Sequence, residues 1–477
     1  MTKKSRTLLF LVLAFIFLTA APSVIFFSQG YRVDFQAKRF AQIGAFYFDA
    51  HPTKAQIFID GKKVAETARF TGDSLSKNLL PKTYHVELQK EGYVSWNKNL
   101  EIIPKQVTEA RSITLFPENP EFSISKQHVQ KMWVAPNGQD ILTLQNLENE
   151  LWALTLWNTR TDQEHYLLKP EFPDDEILNI QWAPNSNSFF VRLISQKTVQ
   201  AFIIPINQDT LLEDLSNTTT IEIARQHAIP LPFLAGDTEH VEFLPSDTNY
   251  LMFLSPANDA FALSQFNLRT AQLENTITKD ALAFELTDKE VFWIDTKGIV
   301  WKKQFGSTET TKISQEPAEL ISKEHIRLHI LAGNIFLTHD NTLHLFNAER
   351  QSFEKFLSNP EKEVLSPSGK KIAFSNGNEI SILFLDQDTQ QPAREKGEKI
   401  LLTRISQKIS DIHWINDYYI MINVADTIQI LEIDTRDRIN VAEIATFPDA
   451  EIFWQPAQSL VYVHSQNQIY TSQKFWP

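Results

Sequence analysis

Residues 8–27 carry no charged side chain, and most of them are apolar. A helix rising about 1.5 Å per residue over that length covers roughly the 30 Å hydrocarbon core of a bilayer, so the run predicts one membrane-spanning helix. Lys3, Lys4 and Arg6 stand directly before it. The positive-inside rule then keeps residues 1–6 in the cytoplasm and sends the rest of the chain across, although Arg32, Lys38 and Arg39 on the other flank reduce the bias. A cleaved secretory signal is the alternative, with Thr19-Ala20-Ala21 imitating a cleavage site. The apolar run continues past that site through Val24, Ile25, Phe26 and Phe27, and Pro22 is tolerated inside a membrane helix, so a retained anchor is the preferred reading.

Past a connecting segment, 29–43, the period changes from helical to two. Residues 44–60 alternate as a strand does and run into Asp60-Gly61, a hairpin turn in which glycine accepts positive φ. Thr83–Gln89 alternates Tyr84, Val86 and Leu88 against Thr83, His85 and Glu87, and shorter runs follow at 100–103 and 111–116. Four or five strands in about seventy residues predict a small β-sandwich over 44–117.

From 118 to 477 short β runs alternate with turns and recur at a fixed spacing. The recurring anchor is an apolar or aromatic strand closed by Pro or a turn: Trp133 to Pro136, Trp182 to Pro184, Phe243 to Pro245, Leu365 to Pro367, Trp414 to Asn416 and Trp454 to Pro456. Degenerate copies lie near Thr287 and Gly333. A second β run follows each anchor, and about twenty residues past it comes a polar turn such as Asn158-Thr159-Arg160 or Asp434-Thr435-Arg436. Four antiparallel strands every 40 to 50 residues are the signature of a propeller blade, which buries its faces only by stacking on neighbours. Eight anchors favour eight blades, with seven as the alternative. The last copy runs out after three strands, and an unassigned strand at 121–125 completes it, which removes an exposed edge. The fold class is therefore all-β, with an N-terminal transmembrane helix, and the chain divides as 1–6, 7–28, 29–43, 44–117 and 118–477.

Two resemblances accompany these patterns. Pro52, Ala55, Ile57, Ile59, Asp60 and Gly61, with Leu80, Pro81, Tyr84, Val86, Gly92 and Tyr93, resemble the PEGA domain, a small β-sandwich of bacterial and archaeal surface proteins. Thr53 and Lys54 depart from the name motif, and Lys82 stands where that family usually has glycine. Gly30-Tyr31-Arg32 ahead of the domain is similar to membrane-anchored PEGA proteins of small-genome bacterial lineages, which implies a cell-envelope protein and carries over no catalytic residue. The Trp-Ala-Pro-Asn-Ser run at 182–186 and the Ser-Pro-Ser-Gly run at 366–369 resemble TolB-like and WD-repeat propellers.

Composition narrows the function. Forty-five Lys+Arg against fifty-eight Asp+Glu give a formal charge of −13, with no basic run beyond the first residues, so nucleic-acid binding has little counterion release to draw on. The absence of Cys excludes disulfides, thiolate zinc sites and cysteine nucleophiles. Thirteen Gly oblige most hairpins to turn on Asn, Asp and Ser. Neither phosphate-binding glycine motif nor a G-x-S-x-G elbow occurs. His325 and His329 have the spacing of a zinc helix without its Glu, in a β region. His339 and His344 flank Asp340-Asn341-Thr342 and read as a hairpin with solvated histidines. Asp386 and Asp388 have calcium-loop spacing but lack the later Gly and Glu, and read as a blade turn. Trp133, Trp182, Trp414 and Trp454 read as repeated core residues. Two long segments interrupt the repeat, 207–240 and 386–399, the second carrying Arg394, Lys396 and Lys399. The expectation is a single-pass extracytoplasmic protein, without cofactor or catalytic residue, that binds an envelope protein or a cell-wall glycan. The alternative is a hydrolase of envelope glycans using two channel-facing carboxylates.

Overall fold

The structure is a computed structural model describing residues 3–34, 38–146, 152–170, 172, 175–206, 228–231, 234, 240–323 and 325–474. It begins with one helix, α1 (Lys3–Ser28), whose segment Leu8–Ser28 is long and apolar enough to cross a membrane and buries none of itself in the protein. That property belongs to a single-pass anchor and to a signal sequence alike. The connecting segment 29–43 is itself folded: β1 (Tyr31–Asp34) pairs antiparallel with β2 (Arg39–Gln42).

Seven strands make the sandwich, against the four or five expected. They are β3 (Gly44–His51), β4 (Gln56–Ile59), β5 (Lys62–Glu66), β6 (Asp73–Leu79), β7 (Thr83–Gln89), β8 (Trp96–Glu101) and β9 (Val107–Thr114). One sheet has the order β6-β3-β9, the other β5-β4-β7-β8. The alternating run 44–60 is two strands in different sheets, because the chain crosses between layers at 52–55, where Pro52 has no N–H to give a ladder. Phe46, Phe48, Ile57, Val86 and Leu88 fill the space between the sheets, each wholly buried. The expected hairpin turns at Asp60 (φ 49°) and Gly61 (φ 74°). The turn after Pro81 needs no glycine: Lys82 keeps an ordinary φ and its Nζ donates to Asp60 Oδ2 at 2.8 Å.

The rest is a closed ring of eight four-stranded antiparallel sheets among the described residues. Seven blades run consecutively over 129–168, 176–230, 240–281, 283–312, 327–358, 362–404 and 409–446. The eighth takes Glu451–Gln455, Leu460–Ser465 and Gln468–Ser472 and receives β10 (Phe122–Gln127) as its outermost strand. First strands touch between blades 1 and 2, 4 and 5, 6 and 7, and 7 and 8, the innermost position in the ring. An apolar cluster fills the seam between every pair of neighbouring blades, including the closing seam, where Val129, Ile141 and Trp157 meet Tyr462 and Ile469. All eight sequence anchors end a first strand. Hairpin tips such as Asp340-Asn341 and Gln466-Asn467 take two successive positive φ values without glycine, the geometry that matches strand twist.

One tryptophan departs from the repeat. Strand pairing aligns Trp182, Trp414 and Trp454 with Val134, not with Trp133, because Val134 pairs with Ile141 as Trp182 pairs with Phe189. A one-residue offset turns a strand side chain to the opposite face, so Trp133 is half-buried while the other three are core. Trp182 and Trp414 also tie blades together: their Nε1 atoms donate to the carbonyls of Trp133 (3.0 Å) and Val364 (2.9 Å) on the preceding first strands.

Candidate functional site

Because strand side chains alternate, each first strand offers the channel one residue per level. The level containing Trp133 holds Gln181, Glu242, Glu285, His329, Val364, His413 and Phe453 at equivalent register positions. Two residues earlier along each strand stand His240, Ala283, Arg327, Lys362, Asp411 and Glu451 on blades 3 to 8.

On blades 3 to 5 these positions open into a cavity of about 780 Å³, lined by His240, Glu242, Glu285, Arg327 and His329 with Phe261 and Phe284 as apolar walls and Lys323 and His325 at the edge. His240 hydrogen-bonds Glu242 through Nε2 and sets its ring edge-on to Phe284, centroids 4.8 Å apart. Burial, reinforced by the charge of Glu242, pushes the Glu285 carboxyl up to about 8. At neutral pH it is mostly a neutral acid able to donate a hydrogen bond. Burial likewise lowers His329, so its imidazole stays neutral. The pocket thus joins a protonated acid, a second carboxyl that is fixed by a histidine, and the Arg327 guanidinium.

On blades 6 to 8 the equivalent charged groups lie beside partners of opposite sign. Asp411 Oδ1 accepts from Lys362 Nζ at 2.5 Å and lies 3.1 Å from His413 Nε2. Burial works to raise Asp411, but His413 and Lys362 outweigh it and hold the carboxyl at about 2. Glu451 pairs with His464, whose pKa is raised by that contact.

The sandwich is sewn to the same side of the ring. Its open edge strand β8 meets the turn of blade 7: Asn97 N donates to Asn440 Oδ1 (3.1 Å) and Asn99 N to Asp437 Oδ2 (2.9 Å). Lys98 is wholly buried, its Nζ 2.5 Å from Glu432 Oε1 and donating to the carbonyls of Asp434, Arg436 and Arg438 at 2.7–2.9 Å. Trp96 Nε1 donates to the other Glu432 oxygen at 2.7 Å. In the other sheet, the edge strand β9 is covered by the 386–399 insertion, where Gln391 accepts from Glu109 N (2.9 Å) and donates to Val107 O (3.1 Å). That insertion is a clamp; Arg394 bonds Glu398 and Thr435, and Lys399 donates to Phe356 O.

The other motifs settle as follows. His325 and His329 both line the cavity, and among the described residues no three metal-ligating side chains come together. His339 and His344 do flank a hairpin turn but are not solvated: His339 is 6% exposed and the two rings stack with centroids 4.4 Å apart. Asp386 and Asp388 pair with Lys370 and Lys371 in a blade turn. The 207–240 insertion lies almost wholly outside the described residues. Sequence reasoning missed Glu242 and Glu285 as a pair, although each stands one residue before the apolar residue of its anchor. Lys98 was also missed; its signal is the alternation Trp96, Lys98, Leu100, which places a lysine on the buried face.

No family model matches the sequence, and no curated protein matches it. Among solved structures, the chain is similar to the C-terminal WD40 domain of Sif2 at 11% identity and a TM-score of 0.48, over 74% of this chain and 98% of that one. It is also similar to the β-propeller domain of Myceliophteria thermophila Cps50 (Swd1), at 10% identity and 0.42, over 75% and 99%. These likenesses concern the fold alone, and the propeller rests here on its own sheet order and seams.

Proposed function

We propose that the chain is a single-pass, membrane-anchored extracytoplasmic binding and scaffold protein of the cell envelope, divided as 1–6, 7–28, 29–43, 44–117 and 118–477. The 44–117 unit, a sandwich in which Ala55, Ile57, Ile59, Tyr84 and Val86 pack the core, is read as PEGA-like. One observation carries the scaffold reading: the ring is closed and caps one edge strand of each sandwich sheet, β8 and β9, so sandwich and ring are bonded into one platform standing on α1. Such a platform presents a preformed surface at little ordering cost. The partner is an envelope protein or a cell-wall glycan. Detergent-solubilised full chain that pellets with isolated wall material in both low and high salt supports the glycan; photocrosslinking of the channel face to a defined protein in intact cells supports a protein partner. Failure of both ends the scaffold reading.

A second reading has its own observation, the Glu242 and Glu285 carboxyls lining one cavity with Glu285 kept protonated by burial, as a glycosidase acid is. Release of reducing ends from wall glycan, abolished by Glu285→Gln, separates it from pure binding.

A further inference from the structure

The hairpin β1–β2 is amphipathic in a way that only its position explains. The register Tyr31↔Gln42 and Val33↔Phe40 places Tyr31, Val33 and Phe40 on one face; Arg32↔Ala41 and Asp34↔Arg39 place both arginines on the other. The apolar face is open, with Phe40 70% and Val33 44% exposed. It is turned toward the end of α1: the Phe26 ring lies 5.4 Å from Tyr31, edge-on, and 6.4 Å from Phe40, stacked. Phe26 follows Leu8 by about 27 Å of helix at 1.5 Å per residue, so a helix that spans the bilayer sets Phe26 at the boundary of the hydrocarbon core. Rings packed on Phe26 share its depth.

Nothing in the connection allows the hairpin to drift from that level. Arg32 Nη1 donates to the Phe27 carbonyl at 3.0 Å, which also accepts from Gly30 N at 3.1 Å, and its guanidinium stands 3.5 Å above the Phe27 ring. Ile43 N donates to Gly30 O at 2.9 Å and Lys105 N to Ile43 O at 3.1 Å, so helix, hairpin and sandwich are joined bond to bond. Residues 29–43 hold Arg32, Lys38 and Arg39 against Asp34 alone, a cationic spot on a chain of net −13.

We propose that this hairpin is a lipid-binding collar: its Tyr31–Val33–Phe40 face lies in the headgroup–acyl boundary, and Lys38 and Arg39 contact the phosphates of anionic lipid. The inference rests on reading Leu8–Ser28 as a membrane anchor. An aromatic and aliphatic face with basic neighbours is what interfacial segments use, and basic groups are drawn to an anionic surface.

The absence of native cysteine makes the test clean, because one introduced cysteine takes one label. Full chain carrying a nitroxide at Phe40→Cys, or at Val33→Cys so that the Phe40 ring is kept, is placed in vesicles of phosphatidylcholine with 30% phosphatidylglycerol. Leu18→Cys marks the bilayer interior, and Phe70→Cys, at a site 89% exposed on the sandwich, marks water. The expected result is an oxygen-to-nickel-chelate collision ratio at 33 and 40 at least threefold above that at 70 and below that at 18. Lys38→Ala with Arg39→Ala, or vesicles of phosphatidylcholine alone, should reduce it. If 33 and 40 match 70 while 18 is lipid-buried, the collar is overturned and the anchor stands. If 18 is also aqueous, both fall. An unchanged ratio without anionic lipid overturns the phosphate contact.

Discussion

Two arcs of the propeller use the same strand positions in opposite ways. In blades 6 to 8 the charges turned inward are paired, Asp411 with Lys362 and His413, Glu451 with His464, and blade 7 also holds the Lys98–Glu432 contact with the sandwich. In blades 3 to 5 Glu285, His329 and Arg327 face an open cavity, and burial is the main cause that raises Glu285 and lowers His329. The difference teaches that one repeat can use the same positions in two ways: the arc that carries the sandwich pairs its inward charges with one another, and the arc away from it turns Glu285, His329 and Arg327 to an open cavity.

The largest expected effect tests the holding arc. Lys98→Met leaves Glu432 and three carbonyls buried without their cation, and such loss of one partner destabilises by about 3–5 kcal/mol. Chemical denaturation should show it, and Lys98→Met with Glu432→Leu should recover most of the loss. If the single variant unfolds like the parent, the seam does not carry the arc.

Next comes Asp411. Its folded-state pKa is depressed, from 3.8 to about 2. Its stabilisation is therefore complete above the unfolded value and is lost as pH falls through the interval from about 4 to 2, and is worth about 2.5 kcal/mol at one pKa unit per 1.36 kcal/mol. Asp411→Asn should remove that acid dependence, read as the difference between parent and variant unfolding at pH 6 and pH 2.5.

Glu285 has the reverse sign. Its folded pKa is raised from 4.5 to about 8, so its cost to stability is absent below the unfolded value and grows as pH rises through that window. Glu285→Gln should gain on the parent between pH 4 and pH 9 by about 2 kcal/mol, less than the full shift because the cavity admits water. A gain at pH 4 instead would break the comparison between the arcs. Glu242→Gln should lower the Glu285 titration midpoint by less than one pH unit, seen by carbon NMR of the labelled carboxyl, since burial is the larger cause. The smallest change is Trp182→Phe, which keeps the packing and loses the bond to Trp133 O, about 1 kcal/mol.

Much of the ring was legible because a repeat announces itself eight times: every anchor ended an inner strand, and the unassigned strand near 121–125 did complete the last blade. What escaped depends on neighbours far away in sequence. Trp133 looks like Trp182 by composition, yet it stands three residues before its Pro where Trp182 stands two, a one-place offset that pairing with Leu142 makes plain. Alternation carried 44–60 as one strand, since a change of sheet leaves the period intact. The polar insertion 386–399 looked like a free loop because its partners, the Val107 carbonyl and the Glu109 N–H, lie almost three hundred residues upstream. Glu285 reads as a surface acid until the cavity that desolvates it is closed by blades 3 and 5.

The borrowed strand in the eighth blade has a consequence for biosynthesis. Phe122 pairs with Ser472, 350 positions later, so the ribosome delivers the first half of that ladder long before the second exists. Seven blades can stack as they emerge, each on its predecessor, but β10 waits beside an unfinished rim until the last few residues arrive, and its exposed edge is a template for the wrong chain meanwhile. Completion of the circle is therefore a late, all-or-nothing checkpoint: a product lacking residues 468–472 has no partner for β10 and is marked for chaperones and proteases by that single open ladder.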